Sequence, residues 1–402
     1  MFALVIAVIL LAWHLIGICV RQSPRQHACP RHIRDVQEAR RILRNSTLES
    51  RAIPNERLVM VFGINNAFTT TDSENHRAFV CQAKDLIRSK EDEWMTVALA
   101  AQKVVDTGPM PLQDGTNTES FLIVKLVQSL VFRIVIIKFF PRSDTPSDED
   151  VDFITTKINS LWLASKSCSS SDTAELLHDK KELLRKLNSF IRPQTSIQQW
   201  DKVPGEDNPL NRILPAYETL WRVVLHCFLE VRFRASPSDA LIYKSIFEQF
   251  FNQPCQHTFE TPFSPSTITV RRIVDETLRL YPPTRRINRQ LSDALVAIDI
   301  EHIHRDAQNW GHDVLEFRPA RWDEKKFKKM AYMSFGMGRF ECPAKNTFGP
   351  MMIGVLVGTL LAGVDEEFEL CLDGVGGEVL GLGPLEGGRE AYVGLQLRKA
   401  EK

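Results

Sequence analysis

Phe335-Gly336-Met337-Gly338-Arg339-Phe340-Glu341-Cys342-Pro343-Ala344 is a glycine-bearing loop that delivers one cysteine to the start of an apolar helix. Gly336 and Gly338 permit φ > 0 and close backbone approach. Pro343 suits a first helical position, and the apolar run Met351 to Leu361 predicts the helix that follows. A sulfur at Cys342 then stands at a helix N-terminus, where the dipole and the unpaired N–H groups favour the thiolate. Such a sulfur is suited to binding iron. A buried structural cysteine beside a glycine turn is the alternative, and the decapeptide alone leaves both open.

Working outward, Glu276-Thr277-Leu278-Arg279 puts an acid and a base three apart on one helix face, and Leu280-Tyr281-Pro282-Pro283 stops that helix. Ile303-His304-Arg305-Asp306, Trp310-Gly311 and Phe317-Arg318-Pro319-Ala320-Arg321-Trp322 follow, and lead into the cysteine loop. Singly, an E-x-x-R pair is a surface ion pair of ~0.5 kcal/mol or less. In this order and spacing, the segments resemble the cytochrome P450 family of haem-thiolate monooxygenases.

Carried onto this chain, the resemblance makes Cys342 the metal ligand, the axial thiolate on the iron of haem b, with Phe335 and Gly338 beside the cofactor. It makes Glu276, Arg279 and Arg321 a buried architectural triad. His76 and Arg77 stand where the family positions side chains that hold haem propionates, in a stretch lacking the family's tryptophan. The oxygen-side helix is expected at Leu214 to Leu225, where Pro215-Ala216-Tyr217-Glu218-Thr219 fits the small-residue, acid, threonine pattern. Glu218 and Thr219 are the candidate catalytic pair, relaying protons as general acids; a solvated Glu218 and a packed Thr219 are the alternative. Two departures stand out: Phe340 replaces the usual Arg or His two before the cysteine, and Ala344 the glycine two after it.

The resemblance implies insertion of one oxygen atom from dioxygen into a small apolar organic substrate. Electrons would come from an NADPH-dependent flavoprotein reductase, since the chain carries no flavin or nicotinamide fingerprint. Lys325, Lys326, Lys328 and Lys329 form a basic patch suited to an acidic donor, or simply a solvated loop. Cys342-Pro343-Ala344-Lys345 and Asn208-Pro209 resemble fungal members serving specialised metabolism. The stretch ahead of the first recognisable domain helix is short for the family. With Phe340, it supports an alternative: an inactive or haem-free member acting as a membrane-tethered binding protein.

Phe2 to Val20 is a run without a formally charged residue. At ~1.5 Å per residue it nearly matches a ~30 Å hydrocarbon layer. Arg21, Arg25, Arg31, Arg34, Arg40, Arg41 and Arg44 follow it, so the positive-inside rule leaves the remainder in the cytosol, as for a single-pass protein of the endoplasmic reticulum. A cleaved secretory signal would want a basic start and a small-x-small site, and neither is present. Fifty basic and fifty acidic residues cancel, so no overall field recruits nucleic acid. The eight cysteines lack C-x-x-C spacing, which excludes zinc ribbons and disulfide scaffolds.

The rest predicts a mainly α fold with small β-sheets. Helices are expected from Asp72 toward Ile87 and from Trp94 to Val105. Phe121 to Phe140 is interrupted by Lys125, Arg133 and Lys138 at helical spacing, and predicts a buried helix of the soluble domain, not a second span. Polar loops are expected at Ser167 to Asp172 and Asp201 to Asn208, and a closing β-hairpin within Val375 to Lys402. The division is an anchor over 1–20, a basic linker over 21–50 and the oxygenase domain over 51–402.

Overall fold

Short polar caps start the helices and proline pairs or glycines stop them, and the apolar stripes between decide how they stack. The computed structural model describes residues 29–107, 120–167, 173–192, 208–263, 266–292, 294–323, 329–364, 366–372, 375–376 and 379–400. In chain order the elements are β1 (Arg31–Ile33), α1 (Val36–Arg44), α2 (Leu48–Ala52), α3 (Glu56–Phe62), α4 (Ser73–Ile87), α5 (Glu91–Thr107) and β2 (Ser120–Leu122). Next come α6 (Ile123–Phe139), α7 (Asp148–Ser167), α8 (Thr173–Phe190), α9 (Leu210–Leu229), α10 (Pro237–Asn252), α11 (Gln256–Glu260) and α12 (Val270–Leu280). The chain closes with β3 (Arg286–Leu291), β4 (Ala294–Asp299), α13 (Ile300–His304), α14 (Ala307–Trp310), α15 (Phe348–Gly363), β5 (Phe368–Leu372), β6 (Val375–Gly376) and β7 (Leu395–Lys399). The mainly α architecture with two small sheets is as the sequence predicts.

Asp72 caps α4 by accepting from the N–H groups of Glu74 and Asn75 at 2.9 and 2.8 Å. Thr269 caps α12, whose last residue precedes Tyr281-Pro282-Pro283. Each such cap satisfies an orphan donor and contributes about 1 kcal/mol. The helix α15 is apolar on every side and buried from Pro350 to Leu360. Such a helix has no solvent face to present, and α5, α9, α10 and α12 pack around it. The 121–140 expectation holds: α6 is an internal helix, with Ile123, Val127, Leu130 and Val131 inaccessible to solvent. Among the described residues no helix is long and apolar enough to cross a membrane. The expected anchor, Phe2 to Val20, lies outside them, as do the loop at 168–172 and most of that at 201–208.

Three expectations need correction. The basic linker does not extend to residue 50: β1 pairs in parallel with β4, Arg31 opposite Val296. Behind it, α1 buries Val36, Ala39, Ile42 and Leu43 in a second, smaller core under this sheet of order β1-β4-β3. Its arginines mark the outer face of an amphipathic helix. The closing hairpin is also differently partnered. The second sheet has the order β2-β7-β5-β6, and β7 lies antiparallel to β5, Leu370 opposite Leu397. Residues 379–394, with Arg389 among them, form a loop folded back on the helical core. Finally, Pro343 opens a turn, and α15 begins only at Phe348.

Candidate active site

The cysteine loop is built from its own backbone first. The Cys342 N–H donates to Phe335 O at 2.9 Å and closes the loop, while the Gly336 N–H donates to Met333 O at 2.9 Å. Gly336 and Gly338 both take φ of 70°. At Gly338 a side chain has no room, because an added Cβ would stand 3.0 Å from Arg44 Cα and 3.2 Å from Leu43 O on α1. The loop is therefore held against the very segment the sequence assigns to a linker.

Upstream, the loop is tied to α12. Glu276 and Arg279 meet in two parallel bonds of 2.8 Å, and Arg321 Nε donates to Glu276 Oε1 at 3.1 Å. All three side chains are inaccessible to solvent. Trp322 Nε1 and the Arg318 N–H add bonds to the same carboxylate, at 3.1 and 3.0 Å. This is the triad the sequence anticipates. His304 extends it: Nδ1 faces Arg279 O at 3.0 Å, and Nε2 accepts the Met333 N–H at 2.9 Å. Those two bonds require the neutral ring, and burial, with Arg279 adding to it, pushes the imidazole down to about 3. Ser334 Oγ, donating to Leu278 O at 2.7 Å, adds the next stitch.

The Cys342 side chain is exposed, yet ringed by protein at its root. Desolvation there pushes the thiol up, whereas the Ala344 N–H and the Arg51 guanidinium pull it down. The sequence predicts a depressed thiol at a helix start; with α15 beginning five residues downstream of Pro343 the helix dipole is too distant, since its effect fades beyond the first turn.

Around Phe340 the structure gathers positive charge. Arg51 and Arg289, 8% and 6% exposed, stand 4.8 and 5.8 Å over its ring. Arg339 lies 5.6 Å from the same ring, and the buried His76 meets it edge-on at 5.4 Å. Arg289 donates to Ser46 Oγ and to Asn288 O, at 3.0 and 2.8 Å. Among the described residues neither Arg51 nor Arg289 has a carboxylate partner, and His76 Nε2 is buried without a bond. Burial drives Arg51 down to about 9, with Arg289 adding to it, and Arg289 to about 10. Leaving buried guanidiniums without a counter-charge costs several kcal/mol each. These are the residues a haem needs: a thiolate for iron, and cations with an orphaned imidazole for two propionates. The residues present fit the group. Arg77 is exposed and is not brought to this cluster; it lines a shallow cavity of about 280 Å³ with Ser73, His76, Lys84 and Arg339.

On α9 the candidate pair is held tightly. Glu218, 3% exposed, is ion-paired through Oε2 to Arg389, while its Oε1 is buried without a partner. Thr219 Oγ1 donates to Pro215 O and Ala216 O, at 3.1 and 3.3 Å. The carbonyl that Pro215 deprives of its helical donor, Asn211 O, accepts from Asn66 Nδ2 at 3.2 Å instead. Arg51, Arg289, His304 and Arg389 escaped the sequence analysis. Arg289 had a signal, an arginine on an otherwise inward-facing position of a strand; Arg389, in a glycine-rich loop, had none. The side chains of the lysines at 325–329 lie outside the described residues.

The structure thus joins a helix-borne Glu–Arg pair to a cysteine loop on a mainly α frame with two small sheets. Residues 269–371 match the family model for cytochrome P450. The chain is 33% identical over 114 residues to cytochrome P450 714A2 of Arabidopsis thaliana, covering 24% of this chain and 22% of that one. It is also 33% identical over 99 residues to cytochrome P450 734A2 of Oryza sativa subsp. japonica, covering 20% and 18%. The matched stretch thus spans about a fifth of the length of these curated relatives. The fold agrees with the crystal structure of CYP175A1 from Thermus thermophilus, with a TM-score of 0.63 at 15% identity over 92% of this chain and 89% of that one. Over residues 269–371 the chain is thus similar to cytochrome P450, and its fold is shared with CYP175A1.

Proposed function

We propose that this chain is a haem-thiolate monooxygenase that inserts one oxygen atom from dioxygen into an organic substrate. The observation that carries this is the exposed Cys342 in a loop whose Phe340 lies under two buried guanidiniums, Arg51 and Arg289, which lack a counter-charge among the described residues. When bound, haem b supplies the activation of dioxygen, and the protein supplies binding, orientation and protons. Cys342 would hold the haem iron through its sulfur, with Phe335 and Gly338 shaping the loop around it. Arg51, Arg289 and His76 hold the propionates, whose two carboxylates neutralise charge that the fold leaves unmatched. Arg77, exposed on the rim of the neighbouring cavity, takes no direct part.

Glu218 and Thr219 carry the proton path. The unpartnered Glu218 Oε1 is the atom free to exchange a proton, and Arg389 keeps the carboxylate aimed along α9. Thr219 holds its hydroxyl against the carbonyls of Pro215 and Ala216. A general acid of this kind contributes ~10²- to 10⁴-fold.

The electron donor in this reading is a separate NADPH-dependent flavoprotein reductase. Phe2 to Val20 is its membrane anchor, in the endoplasmic reticulum with the catalytic domain facing the cytosol; the uncharged run and the arginines after it support this. The fungal, specialised-metabolism character rests on Cys342-Pro343-Ala344-Lys345 and Asn208-Pro209 alone. The test is turnover of the full chain with reductase under isotopically labelled dioxygen. One labelled atom per product molecule is expected, and Glu218→Gln with Thr219→Ala should divert reducing equivalents into peroxide while haem content persists. Product without label, or unchanged coupling in the double variant, contradicts the oxygenase or the relay respectively.

A further inference from the structure

A second group of cations lies away from Phe340, where α3, α7, α9 and the loop before β7 converge. Trp162 on α7 is flanked by two guanidiniums, Arg57 at 5.6 Å and Arg389 at 4.8 Å from its ring. Arg57 also donates to Ser165 Oγ, and Arg389 to Asn159 Oδ1 at 3.1 Å. Lys166 follows Ser165 at the exposed end of α7. Half-buried Arg222, one turn beyond Glu218, donates to the carbonyls of Pro283 and Glu218. Among the described residues these four cations face one carboxylate, Glu218, which is bound to Arg389. Among the described residues neither Arg57 nor Lys166 has an acidic partner.

We propose that Arg57, Lys166 and Arg389, grouped around Trp162, form an anion subsite that takes the carboxylate of an organic acid substrate. As a substrate site it rests on the oxygenase reading above, and it changes the substrate expected from the sequence: an apolar body with an acidic head. A guanidinium stacked on an indole face keeps its in-plane N–H donors free, in the fork that matches a planar carboxylate. Arg389 already holds one oxygen of Glu218, so the cluster accepts a carboxylate oxygen, and a second carboxylate would match its remaining charge. The crowding of like charge is felt by the groups themselves. Burial, and then Arg389, Arg57, Arg222 and Arg285, hold Lys166 below its usual value, and burial with Arg389 does the same to Arg57. The exposed Lys166, the half-buried Arg57 and the buried Arg389 give the order in which an entering acid would meet them.

The test is equilibrium binding of decanoate, decan-1-ol and decylammonium to the full chain, with haem content measured on the same samples. Decanoate should bind ~10- to 100-fold more tightly than decan-1-ol, as expected for hydrogen bonds to charged groups, and salt should narrow the gap. Arg57→Gln, at a half-buried position without a carboxylate partner, should cost decanoate about tenfold and leave decan-1-ol unchanged; Arg57→Glu should turn the preference toward decylammonium. Equal binding of decanoate and decan-1-ol by the unaltered chain overturns the subsite, as does an Arg57→Gln variant that weakens both alike. A chain that keeps the carboxylate preference but binds no haem supports the subsite and contradicts the oxygenase reading; normal haem without the preference does the reverse.

Discussion

The charges around Glu276, wholly buried, and those around Phe340 and Trp162, which range from the buried Arg51 to the exposed Lys166, differ most in how they are matched. Every oxygen of Glu276 is matched, by Arg279, Arg321, Trp322 and the Arg318 N–H, and His304 makes one bond through each ring nitrogen. Near Phe340, among the described residues, two guanidiniums lack an acidic partner and an imidazole nitrogen lacks any, and near Trp162 four cations share one carboxylate. Burying unmatched charge costs several kcal/mol per ion. A satisfied network specifies architecture, whereas an unsatisfied one marks where a ligand completes the accounting. That contrast separates residues that hold the cysteine loop from residues that hold what binds beside it.

The largest effect tests the satisfied side. Glu276→Gln leaves Arg279 and Arg321 buried against a neutral group, and should lower stability by about 3–5 kcal/mol; chemical denaturation would detect it, and a loss below about 1 kcal/mol would show the network to be slack. Next is acid. The folded His304 titrates near 3, below an unfolded value near 6.5, so its neutral form is favoured in the native state. Its contribution is therefore full above pH 6.5 and is lost as pH falls toward 3, amounting to roughly 5 kcal/mol over that window. A His304→Gln variant should show a correspondingly shallower acid limb, and parallel stability curves would contradict the assignment.

On the unsatisfied side, the sign reverses. Arg51→Met removes a buried charge with no carboxylate partner, so the haem-free protein should gain about 1 kcal/mol. The same variant should lose haem several-fold faster, read as transfer to a haem acceptor. Stability and haem retention falling together would make Arg51 part of the scaffold. Smallest is Arg77→Gln, exposed on the rim, which should alter neither by more than about 0.5 kcal/mol.

The sequence made the triad legible because Glu276 and Arg279 are one turn apart on α12 and Arg321 sits in a distinctive aromatic loop. It made Cys342 legible through its glycines. It did not reveal where α15 starts, because a proline tolerated at a first helical position is equally at home in a turn, and the Gly349 N–H to Ala344 O bond commits this chain to the turn. The arginines of α1 suggested a linker until the stripe of Val36, Ala39, Ile42 and Leu43 found its sheet. Arg389 reaches Glu218 only because β5 and β7 pair across a long loop, a contact over 171 positions that no local pattern encodes.

The central claim is that Cys342 binds haem iron as a thiolate. The direct measurement is the absorption spectrum of the reduced, carbon-monoxide-treated full chain beside that of Cys342→Ser. The native chain should show the thiolate-type Soret band, and the variant, whose hydroxyl leaves the glycine loop undisturbed, should lose it. An unshifted band in Cys342→Ser, or no haem band in the native chain, would contradict the account.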